Sequence, residues 1–148
     1  METKVNVFVA NEQSISVDEL RLSAVASHTL AVEEVDDEAE LSVLLVTPEH
    51  IRRLNKRFAG DEYATDVLAF PMMEKDENDF LLGDVVICPS VAERNATKLG
   101  HLLEKELDTL VVHGTLHLLG YDHQGPEDKA RMDKKQQEVL DSFTVHSE

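Results

Sequence analysis

Apolar and polar positions along this chain follow two periods, and the switches between them mark out strands and helices. Val5-Asn6-Val7-Phe8-Val9 alternates and is rich in β-branched residues, which predicts a strand. Ser16-Val17-Asp18-Glu19 has the form of a capping box with Ser16 as N-cap. The helix it opens runs to about Leu30, with Leu20, Ala24, Val25 and Leu30 among its apolar positions. Asp36-Asp37-Glu38 reads as a solvated turn. Leu41 to Val46 is a nearly unbroken apolar run, as expected of a strand in the interior of a sheet. Thr47-Pro48-Glu49 predicts a helix start, a capping Thr followed by Pro at the first helical position. That helix carries Ile51, Leu54 and Phe58 on one face, Arg52, Arg53, Lys56 and Arg57 on the other, and ends near Gly60.

Asp66 to Phe70 is expected as a strand closed by Pro71, Glu74 to Asp79 as an acidic turn, and Leu81 to Cys88 as a strand ended by Pro89. Ser90-Val91-Ala92-Glu93 is a second capping box, opening a helix that ends near Gly100. A further helix spans about Leu102 to Leu119, with Gly120 placed to stop it in a left-handed conformation. A last amphipathic helix starts near Pro126 and runs to about Leu140, and Thr144 to Glu148 are expected to fray. Strands come first and helices dominate the second half, so residues 1–148 are expected to form one α+β domain around a small mixed sheet. There is no internal repeat and no linker.

Composition narrows the class. Apolar residues make up 42% of the chain, ordinary for a globular protein. No apolar run reaches the roughly 20 residues that span a bilayer, and the N-terminal residues lack a basic start with an apolar block. A soluble, cytoplasmic protein is the expectation. The single cysteine, Cys88, can form neither an internal disulfide nor a cysteine-based zinc site, and its apolar surroundings predict a buried small hydrophobe. The net charge of -16, from 14 Lys+Arg against 30 Asp+Glu, argues against generic binding to nucleic acid. The charge is uneven, however, with acids crowding Glu33 to Glu40 and bases clustering at Arg52, Arg53, Lys56 and Arg57. Those four residues can contact phosphates, although a solvated helix face is the commoner meaning of such a run.

Three of the seven histidines fall between positions 113 and 123. His113 and His117 stand at i and i+4, one above the other on a helix face, a spacing suited to a divalent metal. A turn at Gly120 would bring His123 back toward the same point. Three imidazoles with an open fourth position describe a catalytic zinc site, so one Zn2+ per chain is expected on His113, His117 and His123. Two of these histidines interrupt an otherwise apolar helix, where unpaired imidazoles would destabilise it. Gly114 sits mid-helix at a cost of about 1 kcal/mol relative to Ala, and the expectation is that its small size leaves room for a substrate. The other histidines, His28, His50, His101 and His146, show no ligand spacing and read as surface or cap residues. The spacing resembles the metzincin protease pattern H-E-x-x-H-x-x-G-x-x-H, but Gly114 occupies the position of the general-base Glu, which argues against ordinary zinc proteolysis.

The run His113-Gly114-Thr115-Leu116-His117-Leu118-Leu119-Gly120-Tyr121-Asp122-His123 closely resembles the signature of the YbeY family of bacterial rRNA maturation factors. Thr65-Asp66-Val67-Leu68-Ala69-Phe70-Pro71 resembles that family's T-D-V-L-S-F-P segment, and Leu54-Asn55 and Leu82-Gly83-Asp84 fall in the expected order. The resemblance covers about Leu41 to Leu140. It implies a metal-dependent endoribonuclease specific for single strands, acting on the 3′ end of small-subunit rRNA and in ribosome quality control. It also implies a small, mostly parallel sheet packed with helices, with the metal in a cleft and His113, His117 and His123 as zinc ligands. Many members carry Arg directly before the glycine that matches Gly60; here that residue is Ala59.

No residue of the signature stands out as general base, so the expected nucleophile is a metal-bound water, attacking a phosphodiester or deprotonating a ribose 2′-hydroxyl. Asp122 is expected to cap or orient a neighbouring group. Arg57 and Thr65 are the candidate substrate contacts, with Asp66 beside Thr65 either lining the cleft or closing a local turn. Aromatic side chains are few; Tyr63, Phe70 and Tyr121 are those near the motifs, and most are expected in the core. The expected partners are single-stranded RNA and the small ribosomal subunit or its proteins, with neither membrane nor DNA. Two other readings stay open: a ribosome-assembly or RNA-binding factor whose zinc is mainly structural, and a zinc hydrolase of peptides or small esters.

Overall fold

The computed structural model describes residues 6–36, 38–72, 81–122 and 124–146. Four strands, β1 (Asn6–Asn11), β2 (Glu40–Leu45), β3 (Val67–Pro71) and β4 (Leu81–Ile87), form one sheet in the order β1-β2-β4-β3. β1 and β4 both run parallel to β2, and β3 runs antiparallel to β4. Five helices complete the α+β fold: α1 (Glu19–Val32), α2 (Pro48–Ala59), α3 (Pro89–Leu99), α4 (Leu103–Leu118) and α5 (Pro126–His146). The mostly parallel mixed sheet, with β2 in its interior, agrees with the sequence expectation. The acidic run Glu74 to Asp79 lies outside the described residues, as do Val5 and Asp37.

Side chains alternate across the sheet, and its two faces are covered unequally. Leu41, Val43, Leu45, Val85 and Ile87 point into the larger core, where α1, α4 and α5 deliver Leu22, Val25, Leu110, Val111, Leu116, Met132 and Val139. The opposite face carries Leu44, Val46 and Val86 and meets α2 through Ile51 and Leu54. α4 lies at the centre of the thick side, against the sheet and against α1, α3 and α5. From Glu106 to Leu116 it is buried on most sides, while Glu104 and Lys105 in its first turn are exposed.

Several boundaries differ from the sequence reading for local reasons. α1 opens on Asp18, not Ser16, because the Asp18 carboxylate accepts the Arg21 N–H at 3.1 Å and caps the first turn itself. α3 starts at Pro89 with Cys88 before it, so Ser90 and Glu93 fall inside the helix; proline's fixed φ suits that first position. Cys88 is fully buried, as expected, and burial pushes its thiol pKa up. α5 continues to His146 where fraying was expected from Thr144. Val139 is fully buried, and Leu140 and Phe143 pack on the core, which holds the final turns in place. His28 makes a tertiary contact where a surface or cap residue was expected, while His101 is a cap residue whose N–H donates to Ala96 O at the end of α3. His28 Nε2 meets Ser142 Oγ at 2.7 Å, and His101 Nε2 meets the buried Glu106 carboxylate at 2.7 Å.

The same thick side buries an ion pair. Asp108 is 6% exposed and takes a two-pronged contact from Arg21, with Nη2 at 2.8 Å and Nε at 3.1 Å. This joins α1 to α4. Burial raises the Asp108 pKa above its ordinary 3.8 even though the guanidinium pulls it down. Removing Arg21 leaves a largely buried carboxylate without its guanidinium, and Arg21→Ala is expected to destabilise the protein by about 3 kcal/mol at neutral pH. Without the guanidinium the folded-state pKa rises further, so the folded chain binds a proton that the unfolded chain does not. The variant's stability deficit therefore shrinks as pH falls from that raised value toward 3.8. Urea unfolding of both proteins across the acid range checks it; a deficit independent of pH would contradict the account.

Candidate metal centre

The last turns of α4 bring the two helical histidines together. His113 and His117 are half-buried on the helix, their ring centroids 5.5 Å apart and their planes at 70°. The ring of His113 is held by α5: its Nδ1 lies 3.0 Å from the Gln136 carbonyl oxygen. With an acceptor at Nδ1, that nitrogen donates, so a metal held by His113 would be bound through Nε2. This arrangement, an imidazole oriented by a hydrogen bond to its other nitrogen, is the usual support of a metal-ligating histidine. Nothing in the sequence pointed to Gln136, because only the packing of α5 on α4 brings position 136 to position 113.

α4 ends as the glycine predicted. Gly120 has φ of 104°, its N–H donates to His117 O at 3.1 Å, and the Tyr121 N–H donates to Leu116 O at 3.1 Å. This pair of bonds is the Schellman motif, and it reverses the chain just after His117. Asp122, half-buried, follows the turn. His123, the third expected ligand, lies outside the described residues. Among the described residues no group of three His, Cys, Asp or Glu side chains is placed to hold a metal. The donor chemistry still fits zinc at the two positions that are described, since both are imidazoles on one helix face and one is oriented for the task.

The turn is clamped from two sides. The Tyr121 hydroxyl donates to Glu33 Oε1 at 2.7 Å, and Lys135 Nζ lies 3.5 Å from Glu33 Oε2. Burial, then the hydrogen bond to Glu33, pushes the Tyr121 pKa up, so the phenol stays a donor at neutral pH. Tyr121 thus ties the turn to the end of α1 and to α5, and its ring packs on the core. A cleft of about 360 Å³ opens beside the turn, lined by Leu119 to Asp122 with Asp128 and Arg131 from α5.

Gly114 does not make room for a substrate. It is buried against the sheet, and a Cβ built on it would lie 2.6 Å from Val85 Cγ1. The glycine is there so that α4 can approach β4 closely. The remaining candidates sit elsewhere. Thr65 Oγ1 and Asp66 Oδ1 are 3.4 Å apart, Asn95 donates to Asp66 Oδ2 at 3.3 Å, and Asp66 O accepts the Cys88 N–H at 2.9 Å. Thr65 and Asp66 therefore close the turn that leads into β3. Asn55, buried on α2, donates to Tyr63 O at 3.1 Å and holds the loop after Gly60. Arg57 is on the exposed side of α2, which packs on the opposite face of the sheet from α4.

A family model described as endoribonuclease YbeY matches residues 8–144. A relative from Frankia casuarinae named endoribonuclease YbeY is 46% identical over 148 residues, covering 93% of this chain and 74% of the relative. One of the same name from Thermobifida fusca is 43% identical over 143 residues, covering 92% of each. The solution structure of TM1509 from Thermotoga maritima superposes with a TM-score of 0.62 at 32% identity, covering 95% of this chain and 93% of that one.

The packing of Gly114 generates a direct test. Gly114→Ala gains about 1 kcal/mol of helix propensity but overfills a site whose stiff neighbour cannot move, which costs about 1–3 kcal/mol. A net loss is expected, and Val85→Ala should recover part of it in the double variant, making the two changes non-additive. Chemical denaturation of the four proteins in the cycle measures it; strict additivity would show that the contact does not set the helix height.

Proposed function

The chain belongs to the endoribonuclease YbeY family, and on that basis we propose that it is a zinc-dependent endoribonuclease that cuts single-stranded RNA. The observation that carries the metal part is the pair of imidazoles on α4, with Gln136 orienting one of them immediately before a glycine-driven turn. His113, His117 and His123 would hold the zinc. When bound, zinc supplies Lewis acidity, polarising a phosphodiester oxygen and lowering the pKa of water toward about 7. The protein's own part is to hold its groups still. Gln136 fixes the tautomer and tilt of His113, and the Tyr121–Glu33–Lys135 clamp fixes the turn leading to His123. Arg131, which lines the cleft beside that turn and lies 3.8 Å from Asp128, would be the cation that meets a phosphate.

The biological substrate in this reading is ribosomal RNA, at the 3′ end of the small-subunit precursor, and the small subunit or its proteins are partners. The site of work is the cytoplasm. Among the described residues no helix is long and apolar enough to cross a membrane.

Two measurements test the proposal. Protein purified without chelator and without a nickel column should carry about one zinc per chain by elemental analysis and cut a single-stranded oligoribonucleotide in preference to a duplex. His117→Ala, with its fold verified by circular dichroism, should lose both the metal and the cleavage; unchanged cleavage would sink the enzymatic reading. Gln136→Leu should keep the fold and weaken zinc affinity by about 10- to 100-fold in competition with a chromogenic chelator, because the ring of His113 loses its orienting partner. Zinc affinity equal to that of the unsubstituted protein would remove Gln136 from the site.

A further inference from the structure

The thin side of the sheet holds a feature that the metal centre leaves unexplained. Phe58, on the expected core-facing side of α2, is 60% exposed. Its ring is nevertheless held in place: Phe70 of β3 meets it edge to face with centroids 5.1 Å apart, and the Arg57 guanidinium lies 5.2 Å from its centroid. Beside it runs a groove of about 740 Å³ whose floor is apolar, including Leu44, Leu54 and Val86, with His50 and Asp84 as polar groups. A single exposed Phe on a protein surface is ordinary. A Phe backed by a second ring, flanked by a guanidinium and opening onto a groove has the makings of a stacking platform.

Charge selects the occupant. α2 presents Arg52, Arg53, Lys56 and Arg57 from a chain whose net charge is -16. Glu49 answers Arg53 at 3.4 Å, and Glu62 answers Lys56 at 3.0 Å. Arg52 and Arg57 have no carboxylate partner among the described residues. An apolar protein segment would fill the groove but make no use of these cations. An unpaired nucleotide uses both features, a flat base against the ring and a phosphate near the guanidinium; Arg suits either contact.

We infer that Phe58, backed by Phe70 and flanked by Arg57, stacks an unpaired base of the RNA. This rests on the ribonuclease reading above and adds a second point of hold on the same strand. The location fits. Ala69 on β3 lines the groove and pairs with Val85, and Val85 is the residue that Gly114 touches between the turns of His113 and His117. β3 is the edge of the sheet, so a strand of RNA passing around that edge meets the groove on one side and the histidine helix on the other. Asp84 provides an acceptor for an exocyclic amino group, which adenine, cytosine and guanine carry and uracil lacks.

The test uses the full-length, zinc-loaded protein and a labelled single-stranded oligoribonucleotide in which one abasic position is moved along the strand. Phe58→Ala should weaken binding about tenfold, within the range of one base–aromatic stack. Phe58→Leu, apolar but without a ring, should lose as much, and Phe58→Tyr should bind like the unsubstituted protein. Because Phe58 is largely exposed, all should stay folded, with thermal melting lowered only slightly where the ring contact with Phe70 is lost. The unsubstituted protein should lose a similar factor when one particular base is removed, and Phe58→Ala should lose nothing further at that position. Equal RNA affinity in Phe58→Ala, with the unsubstituted protein still cutting RNA, overturns the inference alone, including when the groove is found to take an apolar peptide instead. Failure of the unsubstituted protein to bind or cut any RNA overturns the proposed function as well.

Discussion

The close approach of α4 to β4 at Gly114 and Val85 is the constraint on which the rest of the structure depends. A helix with side chains on every face cannot lie that near a sheet, and here one missing Cβ permits it. Once α4 is set at that height, it is buried on most sides from Glu106 to Leu116, and α1, α3 and α5 must enclose it. The direction of His113 and His117 follows from the same seating. So does the meeting of Gln136 with His113, because α5 packs directly on α4.

Buried and half-buried acids then hold the elements around α4 in place. Asp108 is answered by Arg21, Glu106 by His101, and Glu33 by Tyr121 and Lys135. Hydrophobic burial supplies most of the stability, but it is non-directional and tolerates small rotations of one helix on another. A desolvated carboxylate does not tolerate them, since losing its partner leaves a buried charge. In a chain of such acidity these contacts contribute definition of geometry more than stability, and one of them sits at the turn that leads out of the histidine helix.

The two faces of the sheet divide the work. The thick face is a packed core that holds the histidines and their supports. The thin face has α2 on it, leaving Phe58 and an apolar groove beside a basic helix surface. The edge strand β3 borders the groove on the thin face and also packs against α4. An edge strand is ordinarily a liability for pairing with other chains. Here its residues Leu68 to Pro71 line the groove, together with Ala59 at the end of α2.

Short-range physics made much of this legible beforehand. The i and i+4 spacing of His113 and His117, the stop at Gly120, the Thr47–Pro48 helix start and the interior strand at Leu41 to Val46 each depend on residues within a turn or two of one another, so the sequence alone determined them. The α1 cap shows the limit of that reasoning, because Ser16 fits the capping-box pattern and yet the chain enters the helix at Asp18. The tertiary structure alone decided the purpose of Gly114, the partner of His113, the tertiary role of His28, and the exposure of Phe58. Each of these depends on groups brought together from distant positions, as with Gly114 and Val85 or His113 and Gln136, and a local pattern of residues carries no record of which distant side chain will stand opposite.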